Sequence, residues 1–106
     1  MKIVAVTACP TGVALTYMAA QRLIAAARRL GHVVKVETQG AMGSEDVLTR
    51  KDVGRAAVAI LAADVAVNGP ERFTGLPVLR VSTAEAIADP DAVLNRACSL
   101  VSSDPV

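Results

Sequence analysis

The sequence predicts a single-domain α/β fold: a four-stranded parallel sheet flanked by helices on both faces. Three observations point there. Short β-branched apolar runs recur along the chain, Ala- and Leu-rich amphipathic stretches lie between them, and Gly, Pro or capping residues separate the two kinds. Such alternation is the pattern of a Rossmann-like sheet, whose parallel strands need crossover helices packed on its faces.

Lys2 to Ala8 (KIVAVTA) is almost wholly apolar, as a central strand covered on both faces requires. Cys9-Pro10-Thr11-Gly12 breaks it. From Ala14 to Leu30 an amphipathic helix is expected, with Ala19, Leu23, Ala26 and Leu30 on one stripe and Gln21 and Arg28 opposite. Arg28 and Arg29 suit the negative end of its dipole, and Gly31 is placed for a left-handed cap. His32 to Thr38 (HVVKVET) alternates enough for an edge or near-edge strand, and Gln39 to Gly43 is expected to be a loop. Thr49-x-x-Asp52 resembles a capping box opening a short helix to about Arg55. Ala56 to Ala63 is the next buried strand, stopped by Asp64, although its alanines suit a helix nearly as well. Asn68-Gly69-Pro70 is turn chemistry, and Leu76 to Val81 forms the fourth strand. Ser82-x-x-Glu85 opens a short helix to Ala88. Asp89-Pro90 heads a last helix from Asp91 to about Leu100. The domain is expected to occupy residues 1–101, with 102–106 a tail or the start of a linker.

Composition limits the function classes. With 53% hydrophobic and 20% charged residues the 106-residue chain is expected to fold around one core. Eleven Lys and Arg against ten Asp and Glu leave no whole-chain footprint for nucleic acid or anionic lipid. The longest apolar run, Ala56 to Ala63, is far short of the ~20 residues of a membrane helix. Met1 leads straight into an apolar β run without a basic leader, so a cytosolic chain with reduced thiols is expected. Cys9, Cys98 and the single histidine, His32, lack metal-ligand spacing. Cys98 reads as packing in the last helix, and His32 as a side chain decorating the dipole at the preceding helix end.

Ligands of parallel sheets collect outside the carboxyl ends of the strands, near the point where strand order reverses. Cys9 occupies that address, as do Gln39 and Asp64 less securely. The stretch Cys9, Pro10, Thr11, Gly12, Val13, Ala14, Leu15, Thr16 is a strand–loop–helix junction, where loop amides and the positive helix end converge on an anion. That field lowers a thiol pKa, while Thr11 and Thr16 add hydroxyl donors. Against this stands the reading of Cys9 as a small buried hydrophobe closing a strand. Three cysteine chemistries compete. Thiol–disulfide exchange finds Gly12 where a resolving thiol would stand. A phosphate loop of the small tyrosine-phosphatase type requires Arg where this chain has Leu15, and so loses its guanidinium clamp. A relay, in which the thiolate accepts a phosphoryl group and passes it on, needs neither.

The run Cys9 to Ala14 with Thr16, Tyr17, Met18, Ala19 and Ala20 resembles the signature of the fructose-family IIB component of the bacterial phosphoenolpyruvate-dependent sugar phosphotransferase system. Further matches are Gly31-His32, Lys35 to Gly40, Ala62 to Asp64, and Arg72-Phe73 before Gly75 and Pro77. The resemblance implies a four-stranded parallel sheet and a relay. A phosphohistidine on a IIA partner phosphorylates Cys9, which delivers the group to a sugar held by the membrane-embedded IIC permease. Fructose or a relative such as mannitol, mannose or a mannosyl compound is the implied sugar. No metal or organic cofactor is implied, no nucleic acid and no direct membrane insertion, and the location is cytoplasmic, at the membrane's inner face through IIC. The family pattern usually carries histidine six residues after the cysteine, where this chain has Leu15. That departure keeps alive a second reading, a docking or regulatory domain that has lost the chemistry; a phosphatase-like enzyme is the third. Gln39 and Gly40 are candidates to touch the phosphoryl group or a partner, against an ordinary polar turn. Asp64 is a candidate to bond loop amides, against strand-end solvation. Arg72 is a candidate for an acidic partner surface, against an exposed, solvated arginine.

Overall fold

The central strand β1, Lys2–Ala8, is buried along its whole length except at its first residue. The computed structural model that defines it describes residues 1–10, 14–41 and 43–102. The strands β2 (Val33–Gly40), β3 (Gly43–Glu45), β4 (Val58–Ala63) and β5 (Val78–Val81) complete one sheet in the order β3-β2-β1-β4-β5. β2, β1, β4 and β5 are parallel, as the sequence implies.

The sheet has five strands, not four. β3 runs antiparallel to β2, with Gly40 opposite Gly43 and Gln39 opposite Ser44. Residues expected to be a loop after Thr38 therefore extend β2 to Gly40 and turn back on it. Gly-Ser-Glu has no strand propensity and all three residues are exposed, so only pairing with β2 makes them a strand.

Helices α1 (Ala14–Arg29), α3 (Thr83–Ala88) and α4 (Pro90–Ser102) cover one face. Their Ala19, Leu23, Ala26, Ala86, Leu94 and Ala97 pack on Ile3, Ala5, Val36 and Ile60. Helix α2 (Arg50–Arg55) and a 3-10 turn, Pro70–Phe73, lie on the other face, where Leu48 and Phe73 meet Val4, Val6, Ala59 and Leu61. The alternation of β1 thus sends odd-numbered residues to α1 and even-numbered ones to α2.

Helix ends follow local chemistry closely. Gly31 takes the left-handed conformation (φ 80°), and the His32 and Gly31 amides donate to the Ala27 and Arg28 carbonyls at 2.8 and 3.3 Å, a Schellman cap. Leu30, expected on the buried stripe, is 37% exposed because the chain is already turning away there. Ser82 accepts from the Glu85 amide at 3.1 Å and Asp89 from the Ala92 amide at 3.1 Å, opening α3 and α4. Residues 103–106 of the expected tail lie outside the described residues.

Thr49 and Asp52 form the reciprocal capping box of α2, at 3.1 and 2.8 Å. The Lys35 ammonium, 2.6 Å from Asp52, together with the Thr49 amide and hydroxyl, lowers that carboxyl from 3.8 to about 2. A depressed carboxyl stabilises the folded state above its unfolded pKa, and the contribution is lost as pH falls through the folded value. Protection of the amides of residues 49–55, taken relative to the intrinsic exchange rate at each pH, is therefore expected to fall between pH 4 and 2, and Asp52→Asn to abolish that dependence.

Candidate functional site

β1 ends in full pairing on both sides. Ala8 lies opposite Gln39 of β2 and Ala63 of β4, and its carbonyl accepts from the Asp64 amide at 3.0 Å. The chain leaves β1 for α1 on one face and leaves β4 for the 3-10 turn on the other, so strand order reverses between them. Cys9 is the first residue beyond the sheet at that reversal, on the α1 side of β1.

Cys9 is buried, at 5% exposure, and the Thr16 hydroxyl donates to its Sγ at 3.1 Å. Thr16 is fully buried in the first turn of α1, a turn that contains no acidic residue. The positive end of the helix therefore meets the sulfur without a competing carboxylate in that turn. A hydroxyl aimed at sulfur and a helix start behind it are features that stabilise a thiolate, and they act against the burial of Cys9, which disfavours the charged form. Pro10, Ala14 and Leu15 are exposed around the junction, while Thr11, Gly12 and Val13 lie outside the described residues. Leu15 and Met18, at 42% and 41% exposure, make the first turns of α1 apolar at the surface.

Removing the Thr16 donor without changing its shape tests the contact. In a Cys98→Ala background, Thr16→Val is expected to raise the Cys9 pKa and slow its alkylation at neutral pH by about tenfold, the scale of one hydrogen bond to a charged group. Iodoacetamide rates followed against pH would measure both.

The other candidates are placed as follows. Asp64 bonds α3 rather than any described part of the Cys9 loop: its carboxylate accepts from the Thr83 amide at 3.0 Å and from the Thr83 hydroxyl at 2.5 Å. Gln39 is buried, and its amide is engaged with Asn68 and Glu37. Gly40 and Gln39 border a shallow recess of about 140 Å³ with Ala8, Ser44, Val65 and Asn68. Arg72 sits in an internal pair, its guanidinium forked on Glu37 at 2.7 and 3.1 Å. Larger recesses lie elsewhere among the described residues, about 230 Å³ at the starts of β1 and β2, about 290 Å³ between the end of α1 and the start of β2, and about 580 Å³ beside α2. Cys98 is half-buried with its Sγ 3.5 Å from His32 Nε2, so both residues meet at the end of α1 remote from Cys9.

Sequence reasoning passed over Glu37 and Glu45. The signal for Glu37 was available: a carboxylate within a strand whose neighbours are apolar needs buried partners. Glu45 accepts from the Tyr17 phenol at 2.5 Å, joining β3 to α1. That bond, with burial, raises the Tyr17 pKa, and the Thr38 hydroxyl acts in the opposite sense.

A family model described as "PTS system, Lactose/Cellobiose specific IIB subunit" matches residues 4–96. The chain belongs to the IIB family of the sugar phosphotransferase system. It is 48% identical over 95 residues to the Escherichia coli K12 protein named PTS system fructose-like EIIB component 2, covering 90% of each chain. The crystal structure of a predicted fructose-specific IIB from Escherichia coli superposes with a TM-score of 0.91 at 39% identity, covering 99% of this chain and 92% of that one. A third relative, the E. coli K12 2-O-alpha-mannosyl-D-glycerate-specific EIIABC component, is 49% identical over 96% of this chain, which spans only 16% of that longer protein. IIB units thus occur both alone and within larger polypeptides. No helix among the described residues of this IIB domain is long and apolar enough to cross a membrane, and none of its His, Cys, Asp and Glu residues form a metal-holding group there.

Proposed function

We propose that this IIB domain, residues 1–101, relays a phosphoryl group through Cys9. The thiolate attacks the phosphorus of a phosphohistidine on a IIA partner in line. An S–P bond forms, the N–P bond breaks, and the imidazole nitrogen keeps the electron pair and takes up a proton. In the second step a hydroxyl of a sugar bound by the IIC permease attacks the same phosphorus, loses its proton and releases the thiolate. The sugar is fructose or a close relative, in keeping with the names of the relatives.

The observation that carries this reading is the Thr16 hydroxyl aimed at a cysteine sulfur where strand order reverses. The stretch 10–16, which runs into the first turn of α1, would bind the phosphoryl oxygens. The exposed Leu15 and Met18 beside them form an apolar rim suited to a protein partner, IIA first and IIC second. Docking on IIC places the domain at the cytoplasmic face of the membrane.

The decisive experiment combines the domain with phosphoenolpyruvate, the general phosphotransfer proteins and a fructose-family IIA, then looks for one phosphoryl group by intact-mass and peptide mass spectrometry. A thiol-phosphate at Cys9 is expected. No adduct, with a histidine-bearing IIB working in parallel, would favour the docking reading and make Leu15→His the next variant.

A further inference from the structure

We propose that Glu37 is a positioning residue for transfer at Cys9: by anchoring Arg72 it holds the Gln39–Asn68 wall of the recess at the end of β1, whose lining includes Ala8, the residue before that cysteine. The inference rests on the relay reading. Glu37 is 1% exposed on the α2 side of β2, where a lone carboxylate would be strongly disfavoured. Each of its oxygens accepts two hydrogen bonds. Oε1 takes Arg72 Nη1 at 2.7 Å and the Leu48 amide at 2.8 Å, and Oε2 takes Arg72 Nη2 at 3.1 Å and Gln39 Nε2 at 2.6 Å. Burial pushes this carboxyl up, but Arg72, Gln39 and the Leu48 amide outweigh it and hold it below its ordinary value.

Arg72 carries the restraint onward. Its Nε donates to the Gly69 carbonyl at 2.8 Å and its Nη2 to the Asn68 carbonyl at 2.9 Å. The guanidinium rests over the Phe73 ring, 5.1 Å from its centroid. It folds back so tightly that a Cβ at position 69 would stand 2.8 Å from Nε, and Gly69 also holds a left-handed φ of 67°. Gln39 closes the strap: its Oε1 accepts from the Asn68 amide at 2.8 Å and its Nε2 donates to the Asn68 carbonyl at 3.1 Å. The segment after β4 is thereby fastened to the end of β2 across the end of β1, where Cys9 emerges. Cys9 follows Ala8 directly, so the end of β1 has α1 over one face of the sheet and this wall over the other.

Stability alone is a poor reason for the pair, since a buried ion pair replaced by apolar groups is often neutral. A bidentate fork instead fixes direction, and a small misplacement of a reacting group can lower a rate by about a hundredfold.

The test compares the parent protein, Glu37→Gln and Arg72→Lys, measuring phosphoryl acceptance at Cys9 over a range of phospho-IIA concentrations by rapid quench and mass spectrometry. In both variants the limiting rate is expected to fall by about tenfold or more, with half-saturation and the pH profile of Cys9 alkylation unchanged. Arg72→Lys keeps the charge facing Glu37 but loses the fork on it and the bonds to Asn68 and Gly69, so it decides the matter if Glu37→Gln does not fold. Unaltered limiting rates in folded variants would overturn the inference alone. So would a fall in limiting rate, half-saturation and alkylation that merely tracks the unfolded fraction. A parent protein that takes no phosphoryl group while a control IIB does would overturn the relay reading, and this inference with it.

Discussion

Cys9→Ser is expected to accept no detectable phosphoryl group from phospho-IIA while melting close to the parent protein. The reason is chemical rather than structural. A hydroxyl is not ionised near neutral pH, whereas a thiol at a helix start is drawn toward the thiolate, which is the nucleophile. Serine is slightly smaller than cysteine and accepts the same donation from Thr16, so the buried corner beneath α1 stays filled and bonded. Intact mass after incubation with the phosphotransfer chain reads the outcome, with circular dichroism confirming the fold. Acceptance by the serine variant at the parent rate would refute Cys9 as the acceptor and move attention to another side chain.

The largest expected loss of stability comes from Leu23→Ala. Leu23 is wholly buried at the centre of α1, in the cluster that joins that helix to Ile3, Val36 and Ile60 in the sheet. Its neighbours on α1 are Ala19, Ala26 and Ala27, so no large side chain on the helix's own face can swing in to fill the space. A cavity that cannot collapse puts the loss near the middle of the usual range, about 3 kcal/mol. For a domain of this size that is a fall of roughly 12–24 °C in Tm. Because α1 carries Thr16 to Cys9, the variant should also accept phosphoryl more slowly at temperatures where the folded fraction drops, and normally where it does not. A Tm change below about 4 °C, the effect of about 1 kcal/mol, would show that the helix closes onto the sheet after all.

Much of this architecture was legible because its causes are local. Gly31 after Arg28-Arg29, Thr49 with Asp52, and Asp89 before Pro90 mark helix ends by bonds to amides and carbonyls a few residues away. The strands β1 and β4 were legible because a segment buried on both faces must be apolar throughout, and few residue types satisfy that; β2 was legible by its alternation and β5 by the Gly75 break before it. The link between Cys9 and Thr16 was foreshadowed because both belong to one strand–loop–helix turn, seven positions apart. β3 was not, since Gly43, Ser44 and Glu45 become a strand through a partner rather than through propensity.

The sequence by itself determined the α/β order, the cap positions, the family and the place of Cys9, the proposed acceptor, all properties of contiguous segments. Tertiary structure alone supplied the internal partners of Gln39, Asp64 and Arg72, each a candidate for a partner or phosphate contact: Gln39 bonds Asn68, Asp64 bonds Thr83 and Arg72 bonds Glu37. The partners lie 29, 19 and 35 positions away, respectively. A polar side chain at a strand end can face solvent, substrate or its own protein, and only the positions of donors and acceptors from distant segments select among them.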